Sequence, residues 1–189
     1  MRRLLGGCVV VLLTALLLIQ PAGGARVGWR KLHRPLHLPQ VAPGAACPVS
    51  SVDSRIDWES IHVYGGSGIG RGPAYPATGQ TAQLTVQTDT QHGGPWLTTK
   101  LFWYVRPRYP GPVLIRGRQL DGMHRLGFNG GALPRWELRI HVGETVGWTG
   151  QPSYARGLPS NIRALVPGCY GVQIDGTRFS RIVVFRVTD

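Results

Sequence analysis

A two-sheet antiparallel β-sandwich is the fold this sequence predicts, on three observations. Short runs of alternating apolar and polar residues recur from Cys47 onward, a period that puts one side of each strand in a core and the other in water. No stretch after residue 25 carries a helical period. Turn residues separate the runs, in a chain holding 27 Gly and 15 Pro among 189 residues. About eight or nine short strands without helices bury their apolar faces most readily by stacking two sheets.

The strands follow from the alternation. Ala82, Leu84 and Val86 interleave with Thr81, Gln83, Thr85 and Gln87. Leu97, Thr99, Leu101, Trp103 and Val105 share the next inward face, opposite Thr98, Lys100, Phe102 and Tyr104. Trp136, Leu138, Ile140 and Val142 alternate with Glu137, Arg139 and His141. Shorter candidates lie at 61–64, 113–115, 145–148 and 162–166. The clearest unit is the last: Cys169 to Ile174 leads through Asp175-Gly176-Thr177 into Arg178 to Val187, and Asp-Gly between two β-rich runs signals a hairpin.

Ahead of this domain, residues 1–25 read as a secretory signal. Arg2 and Arg3 form a positive start, Leu4 to Ile19 an apolar run, and Ala22 to Ala25 a small-residue cleavage region. The alternative is an uncleaved anchor, which is the only route by which this chain would touch a membrane. Residues 26–46 alternate Arg26, Arg30, Lys31, His33, Arg34 and His37 with Pro35, Pro39 and Pro43. With neither strand nor helix period, they are expected to be a disordered basic tail.

Cysteine usage agrees with export. Cys8 belongs to the leader, which leaves Cys47 and Cys169, and an even pair in an oxidising compartment implies a disulfide. It would close a loop of about 120 residues and stabilise by up to about 4–5 kcal/mol in the chain-entropy account. Two unpaired buried thiols are the other reading.

Two tracts carry a family likeness. They are Lys100 to Gly122, containing Trp103-Tyr104-Val105-Arg106-Pro107-Arg108-Tyr109-Pro110-Gly111, and Pro167 to Phe185, containing Gly168-Cys169-Tyr170-Gly171. With Gly72-Pro73-Ala74-Tyr75-Pro76, they make residues 47–189 resemble secreted bacterial proteins of no assigned function that look like single immunoglobulin-like sandwiches. The resemblance implies an immunoglobulin-like antiparallel β-sandwich and an extracytoplasmic place, and brings no catalytic or binding residues. Cys47 lies too far ahead of Trp103 for the usual inter-sheet pair, so a Cys47–Cys169 bond would pin the approach to the first strand onto a late one.

The motifs of catalysis are missing. Gly65-Gly66-Ser67-Gly68-Ile69-Gly70-Arg71-Gly72 has neither a following helix nor the lysine of a phosphate cradle, and reads as a loop or bulged strand. The six histidines are scattered and predict no metal site, and no cofactor motif is present. There is no Gly-x-Ser-x-Gly and no His-Glu-x-x-His. A small hydrolase would have to assemble its acids from Asp53, Asp57, Glu59, Glu137 and Glu144, while Asp121 and Asp175 precede glycines and are expected to serve turns.

Charge remains. The formal charge is +12, almost all of it arginine; Arg2 and Arg3 leave with the leader, and Arg26, Arg30, Lys31 and Arg34 carry four more charges. Residues 47–189 therefore hold +6. Arg106, Arg108, Arg116, Arg118 and Arg125 cluster with Tyr104 and Tyr109, and guanidinium forks suit carboxylates and phosphates. Export excludes nucleic acid as a partner. The expectation is thus a non-catalytic binding or structural module of the cell envelope. An anionic polymer, a glycan or an envelope protein would be its partner, and Tyr104, Arg106, Arg108, Tyr109, Arg116 and Arg118 its contact residues. The alternatives are a small extracytoplasmic hydrolase and an accessory subunit of an envelope complex.

Overall fold

The computed structural model describes residues 28–58, 67–146 and 155–189. The leader, the strand expected at 61–64, and Glu59, His62, Gly65 and Gly66 lie outside these residues. The chain is all-β, as expected. Among the described residues, one helical turn, α1 (Trp29–Leu32), precedes thirteen strands. In order these are β1 (Val52–Asp53), β2 (Ser67–Ile69), β3 (Ala74–Thr78), β4 (Gln83–Thr85), β5 (Gln87–Thr88), β6 (Leu97–Val105) and β7 (Val113–Gln119). They continue as β8 (Arg125–Phe128), β9 (Leu138–Ile140), β10 (Thr145–Val146), β11 (Ala155–Ala164), β12 (Gly168–Gly176) and β13 (Ser180–Thr188).

In place of two separate sheets, the strands form one curled sheet, a half-barrel. Its order is β1-β2-β3-β6-β11-β8-β7-β12-β13-β4, with β5 added to β6, β10 to β11 and β9 to β7. The bend lies at β8. Leu126 and Arg125 pair with Gly117 and Arg118 of β7, whereas Phe128 and Gly127 pair with Ile162 and Arg163 of β11. One short strand thus passes from one wall to the other and makes them continuous. The sheet is mixed, since β4 runs parallel to β13.

Inward faces of both walls meet in one core. Trp103, Phe128, Leu126, Ile115, Ile140, Tyr170, Val172, Ile174 and Phe185 are essentially fully buried there. Trp103 meets Phe128 edge to face at 6.0 Å. The expected inward set of β6 holds at Leu101, Trp103 and Val105. The run from Trp136 to Val142 is shorter than expected: only Leu138–Ile140 is strand, and Val142 is exposed.

The C-terminal hairpin forms, with its turn displaced. Asp175 pairs with Ser180, and Gly176 N–H donates to Phe179 O, so Thr177 and Arg178 make the corner. Gly176 is required for space: a Cβ there would lie 2.2 Å from Phe179 Cε1.

The tail is the main correction. Residues 28–46 are docked on the outer face of β7 and β12, not disordered. Leu38 and Val41 bury against Leu120, Cys169 and Val184, and Leu32 is buried as well. Val41 N–H donates to Leu120 O, and His37 N–H to Gln173 Oε1. Proline and scattered charge hide this docking from pattern reading, because an extended strap needs no period to bury three apolar side chains. At its end the expected disulfide closes, Cys47 to Cys169, with Cα atoms 5.4 Å apart. It pins the approach to β1 onto β12.

Candidate functional site

An open groove of about 1140 Å³ lies where the two ends of the half-barrel come together. Its walls are β1 with the chain to Arg55, the Gly70–Pro73 loop, Tyr75 of β3, Arg106 just beyond β6, and Arg181 of β13. The loop reaches in because its glycines allow it. Gly70 has φ +90°, and a Cβ there would meet Val183 Cγ2 at 2.7 Å.

Among the described residues, Asp53 is the one acidic residue in the lining, and it is almost fully buried. Oδ1 accepts from Arg55 N–H at 3.1 Å and Nε at 2.9 Å. Oδ2 accepts from Arg55 Nη2 at 3.3 Å, Arg106 Nη2 at 3.1 Å and the Tyr75 hydroxyl at 3.2 Å. Tyr75 in turn accepts from Arg106 Nε at 2.9 Å. The hydrogen bonds from Arg55 outweigh the cost of burial and hold the Asp53 carboxyl at about 2. Beneath this network Tyr75 stacks on Tyr104 at 6.4 Å, and Trp58 meets Tyr104 edge-on at 5.4 Å.

Among the described residues, four arginines, 55, 71, 106 and 181, and one carboxylate line the groove, an excess of three positive charges. Arg55 is 86 % exposed and keeps free donors beyond its bond to Asp53. Arg71 is exposed and makes no hydrogen bond among the described residues, while Arg181 bonds only to the Ser180 carbonyl. Such an arrangement is complementary to carboxylate or phosphate oxygens, which accept forked donation from guanidinium groups.

The contact residues expected from the sequence do not assemble. Arg106 reaches the groove and Tyr104 lies buried beneath it. Arg108 is exposed on the following loop. The Tyr109 hydroxyl donates to Pro112 O at 2.7 Å and accepts from Thr177 N–H at 2.8 Å, bracing the hairpin corner. Arg116 pairs with Asp175 at 2.9 Å. Arg118 donates to Leu38 O and Pro39 O, at 3.3 and 3.4 Å, and so holds the tail. Arg125 lies over Trp136 at 4.4 Å. The alternation of β7 turns Arg116 and Arg118 to the strap, while Arg106 belongs to the opposite wall. Sequence reasoning missed Arg55, Arg71 and Arg181, and took Asp53 only as a candidate hydrolytic acid. The signal for one of them was Arg71 inside a glycine run followed by proline.

A second hollow of about 430 Å³, lined by Thr85, Thr88, Thr98, Thr99, Lys100 and Asn161, has Asp89 in its wall. Asp89 contacts Arg163 Nε at 2.8 Å and His92 Nδ1 at 3.1 Å, and Arg163 lies over Trp96 at 5.3 Å. Burial works to raise the Asp89 pKa, and the His92 bonds together with the Arg163 charge overcome it and hold it down. The His92 bonds and the ion pair to Arg163 tie down the 89–96 loop, while Arg163 Nε and Nη2 are buried without a hydrogen-bond partner among the described residues.

No group of three metal-ligating side chains occurs among the described residues. Among them, too, no helix is long and apolar enough to cross a membrane. Asp53 sits in its arginine cluster, Glu137 pairs with Arg139 and His33, and Glu144 accepts from His141 N–H, so each of these three acids is already engaged. Compared with known proteins, the chain matches no family model, no curated protein and no solved structure.

Proposed function

We propose that this chain is an exported, non-catalytic module of the cell envelope that binds an anionic envelope ligand in the arginine groove. The observation that carries the reading is the charge of that groove: among the described residues, four arginines and a single carboxylate line it, and the carboxylate is already bonded to two of them. An acid held at about 2 is ionised at neutral pH and is a poor proton donor, which favours binding over acid–base chemistry there. The Cys47–Cys169 bond suits an oxidising compartment. The leader at 1–25 and the likeness to secreted immunoglobulin-like proteins support the same place and kinship, with Trp103 as the buried tryptophan of a central strand.

The test is binding of two probes, poly-L-glutamate and polygalacturonate, to the oxidised full chain at low and high salt. Binding to at least one probe, weakened by salt and reduced about tenfold or more in R71Q/R181Q, is expected, since charged hydrogen bonds are each worth about 1.5–3 kcal/mol. Failure of both probes, or binding that ignores Arg71 and Arg181, overturns the reading.

A further inference from the structure

The half-barrel is closed at one point and open at the next. Ser50 N–H donates to Val184 O at 2.8 Å, and Val184 N–H to Ser50 Oγ at 2.9 Å, so the chain entering β1 is joined to the edge of β13. Cys47, near Phe185 O, fixes the direction: from Cys47 to Val52 the chain runs antiparallel to β13. Beyond Ser50 and Val184, Val52 and Ile182 are the residues that border the seam.

Among the described residues, the backbone groups that both turn to the seam have no partner. In an antiparallel ladder, residues alternate between pointing their N–H and C=O to one neighbour and to the other. Ser51 O accepts Gly70 N–H from the β2 side, so Val52 points its pair away from β2, into the seam. Val184 O accepts from Ser50 and Arg186 N–H donates to Ala82 O, so even-numbered residues of β13 point away from β12, and Ile182 is one of them. No backbone partner for Val52 or Ile182 in the seam exists among the described residues. Their side chains are exposed, Val52 at 37 % and Ile182 at 41 %. The unpaired edge opens into the groove that holds Arg55, Arg71, Arg106 and Arg181.

We infer that the ligand of this groove is an extended acidic polypeptide segment that adds as a short strand along the open edge of β13 at Ile182, with Val52 flanking it. This rests on the anion-binding reading and narrows it to one class. Edge addition supplies affinity through main-chain hydrogen bonds, and alternate side chains supply selectivity. Opposite residues of an antiparallel pair share a side, so Val52 lies with Ile69 on the core side of the sheet, as Arg181 does with Val183, while Ile182 lies with Val184 on the outer side, as do Asp53 and its partner Arg55. Each side of the seam thus offers one apolar and one basic side chain, Val52 with Arg181 and Ile182 with Arg55, and the segment that fits carries both apolar and acidic residues, its carboxylates among the arginines. This chain's own leading residues do not fit, since 26–34 carry Arg26, Arg30, Lys31 and Arg34.

The probe is a synthetic hexapeptide alternating glutamate and valine, compared with the same peptide N-methylated at every second residue, on the oxidised full chain. The parent peptide is expected to bind and the N-methylated one to bind at least about tenfold more weakly, because methylation removes main-chain donors and leaves the charge. I182P is expected to weaken the parent by a similar factor: proline deletes an outward N–H that β12 does not use, as edge strands tolerate. V52P is the second variant, and the peptide comparison itself needs no change in the protein. If parent and N-methylated peptides bind alike, or I182P and V52P both fold and leave binding unchanged, strand addition is overturned while anion binding stands. Binding of polygalacturonate alone would likewise overturn strand addition and leave anion binding in place. If neither peptide nor polygalacturonate binds, both readings fall.

Discussion

Asp53 and Asp175 show how much two acids contribute in a chain with only nine. Asp175 is fully buried under the strap, with Arg116 Nη2 at 2.9 Å, Arg34 Nη1 at 3.2 Å and Gln173 Nε2 at 3.0 Å. As the acid before a glycine in a hairpin sequence it reads as a turn residue, because nothing in the sequence reveals that the tail folds back over it. Removing its charge strands two guanidiniums, so D175N should lose about 3–5 kcal/mol in urea unfolding, the cost of breaking a buried pair. Asp53 is tested by pH. Its folded pKa of about 2 lies below the ordinary 3.8, so its stabilisation is present above pH 4 and is lost as pH falls toward 2. In D53N the acid limb of the stability curve should be flatter over that window; an unchanged limb would mean the Arg55 and Arg106 bonds contribute nothing to folding.

Among the elements, the strap and the central strand β11 were least legible. Gly157 and Pro159 interrupt the alternation of β11 and led the sequence to suggest only its last part. The structure accommodates Pro159 because β11 pairs with β10 at one end and β8 at the other, with no strand on that edge between Arg156 and Ile162. The absent N–H therefore has no partner to lose. β6 and β13 were legible from long alternating runs, and β12, buried on both faces, from the Asp-Gly that follows it before a second β-rich run. For the strap, L38A/V41A should destabilise by about 2–5 kcal/mol and make the bond after Lys31 more susceptible to trypsin than in the unaltered chain. The disulfide spans 122 residues, and C47S/C169S should cost up to about 4–5 kcal/mol by denaturant unfolding if it acts on the unfolded chain. A loss confined to tail protection with no change in global unfolding would assign it to the strap alone.

At the scale of the whole molecule, strand order was not readable, since neighbours such as β3 and β6, or β13 and β4, are brought together by tertiary packing that no local pattern encodes. The expected basic cluster failed for the same reason. Arginines adjacent in sequence went to opposite walls, and arginines far apart, at 55, 71, 106 and 181, met at the seam. The compositional signal of a basic exported domain thus survives as a local charge, concentrated where the half-barrel stays open. The most direct test of that claim is the affinity of the oxidised full chain for poly-L-glutamate in two double variants. R71Q/R181Q removes groove charge, and R108Q/R178Q removes the same formal charge from exposed positions outside the groove. The account predicts a loss of about tenfold or more in the first and less than about twofold in the second. Equal losses in both would show that binding follows net charge alone and would contradict the groove.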